Sequence, residues 1–123
     1  MNIYFSKFSK NIYLLISQLN KKKIICKIYM NKNKLSKIKL EDEFKDNFFN
    51  DNENVLFDLI IFENFEEKNI QILTKAEYNS KCYIFGMSLT NTNLDIYKLI
   101  HQKRIEVIFL NKKFENIEFE KLL

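Results

Sequence analysis

The run Val55–Phe62 (VLFDLIIF) constrains the fold most. Only Asp58 interrupts its apolar character. A strand with one wetted face would alternate apolar and polar residues. A nearly unbroken run suits a central parallel strand covered on both faces. A parallel neighbour needs a crossover connection, so helical segments should flank such a strand.

The rest of the chain supplies them. Ile3-Tyr4-Phe5 reads as a first short strand. Ser9 is placed to cap a helix from Lys10 to about Asn20, with Ile12, Leu15, Ile16 and Leu19 on one face. Lys21–Lys23 close it with cations, as suits a helix C-terminus. Ile24–Met30 (IICKIYM) is a second strand, Asn31–Asn33 a turn, and Leu35–Leu40 alternates apolar residues with lysine, predicting a hairpin extension. Glu41-Asp42-Glu43 open a helix to about Phe49. Beyond the Val55–Phe62 strand come a short helix over 66–75, a strand at Cys82–Met87, a helix at Leu94–Arg104, a strand at Glu106–Leu110 and a short last helix at Asn116–Leu123.

The alternation predicts one α/β domain over residues 1–123: a five-stranded parallel sheet in the order 2-1-3-4-5, helices on both faces, and short or irregular third and fifth helices. That is the flavodoxin-like arrangement. With one glycine and no proline, asparagine is expected to carry the turns.

Charge is unevenly spread. The first forty residues hold ten lysines and no acid, within a chain of net charge +4. Such a block reads either as an acidic-partner or nucleic-acid surface or as solvated lysines at element ends. Arg104 is the sole arginine, so no guanidinium cluster is available for phosphate forks. The twelve Phe and six Tyr fit stacking on unpaired bases, or a core. No apolar run reaches the ~18 residues of a membrane span, and Met1–Lys10 lacks the features of a signal peptide. The chain is expected to be cytoplasmic, with Cys26 and Cys82 as two reduced thiols.

Catalytic patterns are missing. Gly86 is the only glycine, which excludes glycine-rich phosphate loops and the nucleophile elbow. Two distant cysteines make neither a redox pair nor a zinc quartet. His101 has no second ligand nearby in sequence and reads as a surface histidine. No catalysis, metal or cofactor is expected.

Three strand ends carry a resemblance. Asp58–Phe62 ends in Glu63, Ile84–Met87 ends in Ser88, and Phe109-Leu110-Asn111-Lys112-Lys113-Phe114 follows the pattern aromatic-x-x-Lys-x-Phe. In this order they resemble the receiver domains of response regulators. The resemblance covers the whole chain in element order, with motifs only from about residue 55 onward. It implies that Glu63 stands at the phosphoacceptor position, Ser88 at the switch hydroxyl, Phe109 at the switch aromatic and Lys112 at the phosphate-binding lysine. Lys113 replaces the proline of the family pattern.

The departures decide the expected function. Where a receiver keeps an acidic pair for Mg²⁺, this chain has Ser6-Lys7-Phe8, without a carboxylate. Glu63 is one methylene longer than aspartate and misplaced for in-line attack. It reads either as a permanent stand-in for phosphoaspartate, paired with Lys112, or as an exposed acid at a strand end. The resemblance thus implies a degenerate, non-phosphorylatable receiver acting as a protein-interaction module in signal transduction or transcriptional regulation. By the same analogy residues 94–123 form its partner surface, for another protein or a second copy. No output domain is expected after residue 123, so the chain reads as a stand-alone adaptor or the receiver part of a longer regulator. The alternative is a small basic nucleic-acid-binding or phage-type inhibitor protein.

Overall fold

The structure is a computed structural model that describes residues 1–51, 54–66, 69–86 and 94–123. Its centre is an all-parallel sheet of six strands: β1 (Asn2–Phe5), β2 (Lys27–Met30), β3 (Phe48–Asn50), β4 (Phe57–Phe62), β5 (Ala76–Phe85) and β6 (Glu106–Leu110). The helices are α1 (Asn11–Lys21), α2 (Lys32–Leu35), α3 (Ile70–Thr74) and α4 (Leu94–Gln102). Three 3₁₀ turns, Asp42–Asn47, Phe114–Asn116 and Phe119–Leu122, complete the described elements.

β4 lies between β1 and β5 and pairs in parallel with both. Phe57, Leu59, Ile60, Ile61 and Phe62 are all buried, as the continuous apolar run predicts. Alternation along the strands sends side chains to two cores. On one face Ile3, Phe5 and Ile61 meet Ile12, Leu15, Ile16 and Leu19 of α1 and Phe114 and Phe119 of the C-terminal turns. On the other, Tyr4, Ile60, Phe62 and Ile84 meet Leu73 of α3 and Ile96 of α4. The sheet is therefore covered on both faces. No helix among the described residues is long and apolar enough to cross a membrane.

The sheet differs from the expected one in count and order. It has six strands, ordered β3-β2-β1-β4-β5-β6, because β3 is added outside β2. Residues 35–40 do not return as a hairpin. Leu35, Ile38, Leu40 and Phe44 pack on the α1 side of the sheet while the chain crosses over to run parallel to β2. The expected helix over 41–49 is a 3₁₀ turn that gives way to β3 at Phe48. The last helix is two 3₁₀ turns rather than one α-helix. The expected strand at 82–87 starts earlier, at Ala76, and its register against β4 shifts between Phe57 and Leu59.

Turn chemistry also departs from expectation. Asn79, at φ 64°, takes the left-handed position within that irregularity. Two helix ends use basic residues instead. After α1, Ile24 N–H reaches Leu19 O and Lys23 N–H reaches Asn20 O, with Lys23 at φ 60°. After α4, Ile105 N–H reaches Ile100 O and Arg104 N–H reaches His101 O, with Arg104 at φ 51°. Both are Schellman closures with Lys or Arg where glycine is common. Ser9 does not sit at the cap position; helix α1 begins at Asn11, whose N–H donates to Ser9 Oγ at 3.3 Å.

Candidate functional site

In a parallel sheet all strand carboxyl ends lie on one side. Chain leaving β1 turns towards β2, whereas chain leaving β4 turns towards β5, and the divergence opens a crevice between them. It encloses about 460 Å³ and is lined mainly by polar side chains, among them Ser6, Lys7, Asn31, Lys34, Asp51, Glu63 and Asn64. Each of these follows the end of β1, β2, β3 or β4.

Ser6 joins the two central strands. Its N–H donates to Ile61 O at 3.0 Å. Its buried hydroxyl accepts the Glu63 N–H at 2.7 Å, and its carbonyl accepts Lys34 Nζ at 2.6 Å. This fixes the backbone around Glu63 and Lys7. Gly86, at the end of β5, has φ 86°, and an added Cβ would lie 3.1 Å from Asn64 Oδ1. The bare backbone there leaves room for the turn after β4.

Lys7 occupies the charged centre. Its Nζ lies 3.0 Å from Glu63 Oε2 and 2.6 Å from Glu115 Oε1. Glu115 belongs to the first C-terminal 3₁₀ turn, which Asn11 Nδ2 also holds through the carbonyls of Glu115 and Ile117, both at 2.9 Å. The hydrogen bond to Glu115, then that to Glu63, raises the Lys7 pKa. The same Lys7 contact holds the Glu115 carboxyl below its ordinary value. Asp51, which also lines the crevice, accepts Lys75 Nζ at 3.0 Å. Burial, with the Asp51 charge adding to it, pushes the Tyr4 hydroxyl up to about 12.

The structure brings some expected site residues together and separates others. Ser6, Lys7 and Glu63 share the crevice. Glu63 pairs with Lys7 and not with Lys112, which is exposed on the segment after β6 and forms no ion pair among the described residues. Phe8 turns away into an aromatic group, with its ring 5.6 Å from Tyr13 and 6.1 Å from Phe48. Phe109, at the expected switch-aromatic position, is 45 % exposed on β6. Ser88 lies outside the described residues. His101 is exposed on α4. Cys26 and Cys82 are buried free thiols, each with its pKa raised by burial. Sequence reasoning missed Glu115, Asp51 and Lys34. Glu115 carries no local signal, since it reaches Lys7 only after the C-terminal segment folds back beside α1.

The receiver resemblance implies a Mg²⁺ site, and the residues present do not fit one. Mg²⁺ takes oxygen ligands in octahedral geometry. At the end of β1 stand Ser6, Lys7 and Phe8, and the Lys7 ammonium fills the space between Glu63 and Glu115. No group of three or more His, Cys, Asp or Glu suited to a metal ion occurs among the described residues. Compared with protein-family models and with curated proteins, the chain matches none.

Proposed function

We propose that this chain is a pseudo-receiver: a domain that does not take a phosphoryl group and acts by binding a protein in signal transduction or transcriptional regulation. The observation that carries this reading is the position of Lys7. An ammonium 3.0 Å from Glu63 supplies the cation that an acidic metal pocket would otherwise recruit. The Glu63 carboxylate is neutralised in place, and no divalent ion remains to screen an incoming phosphoryl group. The reading includes no catalysis and no cofactor, and a cytoplasmic location.

Residues 94–123 are the proposed partner surface. Apolar side chains stand exposed there: Leu94 at 66 %, Tyr97 at 49 % and Phe109 at 45 %. A nucleic-acid role is less well supported. The amino-terminal lysines do not form one face: Lys21, Lys22, Lys23 and Lys27 lie towards the amino ends of the strands, whereas Lys32 and Lys34 follow the carboxyl end of β2.

The test is incubation with acetyl phosphate and Mg²⁺, followed by intact-mass measurement. The expected result is an unmodified chain. A phosphoryl adduct on Glu63, or micromolar Mg²⁺ binding near Ser6, would restore an ordinary phospho-switch and end the proposal.

A further inference from the structure

The two edges of the sheet are unequal. β3 is three residues long, and Lys27 Nζ lies 5.6 Å from the ring of its exposed Phe49. β6 is five residues long (EVIFL) and, among the described residues, pairs only with β5. Among the described residues its outer side therefore has no strand partner for its backbone donors and acceptors, and no lysine or proline stands inside the strand to deter pairing. Val107 packs on the α4 side of the sheet, and Ile108 and Leu110 on the α1 side. Alternation puts Phe109 on the Val107 side, where its ring is 45 % exposed.

We infer that β6 is the self-association edge of this protein, pairing antiparallel with β6 of a second copy so that Phe109 faces the partner's Phe109 across a two-fold axis. In this register Ile108 lies opposite the partner's Leu110, and Glu106, the first residue of β6, comes level with the partner's Lys112, two residues beyond the end of that strand. Glu106 and Lys112 are both exposed, and neither forms an ion pair within the chain among the described residues. Two-fold symmetry makes the charge pair occur twice. The neighbouring register, with Ile108 on the axis, is disfavoured. It sets Glu106 against apolar Leu110 of the partner subunit and leaves that carboxylate without an opposite charge. Charge complementarity therefore selects both the occupant and the register. The inference deepens the partner-surface part of the proposed function by naming a second copy as the occupant, but its physical basis is the strand edge alone.

Sedimentation of the wild-type chain over a concentration series tests it. The expected result is a monomer–dimer equilibrium. Glu106→Lys should raise the dissociation constant about tenfold, since two opposite-charge pairs become two like-charge pairs. Lys112→Glu should do the same from the other side of the contact. The double variant Glu106→Lys/Lys112→Glu should return the constant to near the wild-type value. Both positions are exposed, and matching thermal unfolding of the variants separates lost association from lost folding. A wild-type chain that stays monomeric at its highest soluble concentration would overturn the inference, as would a dimer indifferent to both single variants or unrescued by the double one. The phosphorylation test is untouched by any of these outcomes, so the two proposals fail separately.

Discussion

Lys7 Nζ lies 3.0 Å from Glu63 Oε2, so the turns leaving two adjacent strands are joined by an ion pair across the crevice. The side chains are 44 % and 32 % exposed, which limits the pair to ~0–1 kcal/mol. Its value is positional. Lys7 also reaches Glu115, so one ammonium ties the chain after β1 to the chain after β4 and to the C-terminal turn.

Replacing that ammonium should convert the site. Lys7→Asp places a third carboxylate beside Glu63 and Glu115, and hard cations bind clustered oxygen ligands. The expected outcome is Mg²⁺ or Ca²⁺ binding at about 10⁻⁴–10⁻³ M, the range of weak open sites. Isothermal titration calorimetry should detect it in the variant and not in the wild type under the same conditions. Without metal the variant should be less stable, because three acids repel, and added divalent ion should raise its melting temperature. Equal behaviour of variant and wild type towards both ions would show that Lys7 does not define the site.

The buried Tyr4 predicts an alkaline weakness. Its hydroxyl is pushed from 10.0 up to about 12 by burial, with Asp51 adding to the shift. A raised value means that the folded state favours the protonated phenol. The stabilisation is complete below pH 10 and is lost as pH rises from there to about 12. Its size is on the order of 3 kcal/mol at most. Tyr4→Phe removes the titrating group and keeps the ring. Melting temperature should fall less between pH 9 and pH 12 in Tyr4→Phe than in the wild type. Identical slopes would remove Tyr4 as a cause.

How far the fold could be read depended on whether a signal was local. β6 matches its expected bounds because its apolar run stands between polar residues at both ends. The long apolar run at 55–62 identified a central strand for the same reason. β3 was hidden because Asp42 and Glu43 are a real helix-start signal, which yields only a 3₁₀ turn before Phe48 joins β2. A three-residue strand is specified by its neighbour, not by its own pattern. The crevice was legible in part. Ser6, Lys7 and Glu63 stand at strand ends that sequence alone marks, but the Lys7–Glu63 pairing follows from β1 and β4 being adjacent, and Glu115 from the fold of the C-terminus. The lysines at 21–23 suit the helix end as charge partners of its carbonyls. Sequence gave no sign that Lys23 also takes a left-handed backbone.

That backbone supports the last prediction. Lys23 sits at φ 60° in the closure of α1, where its N–H meets Asn20 O at 2.9 Å and Ile24 N–H meets Leu19 O at 2.9 Å. A left-handed residue with a Cβ costs roughly 1–2 kcal/mol. Glycine avoids that cost but loses about 0.5–1 kcal/mol to its greater freedom in the unfolded chain. The first term is larger, so Lys23→Gly should stabilise the protein by about 0.5–1 kcal/mol. Lys22 is the matched control. Its φ is −85°, where glycine relieves nothing, and Lys22→Gly should destabilise by about 0.5–1 kcal/mol. Denaturant midpoints read at equal slope would show the two substitutions, one residue apart, moving stability in opposite directions. If Lys23→Gly also destabilises, the lysine side chain contributes more at this helix end than its backbone strain removes.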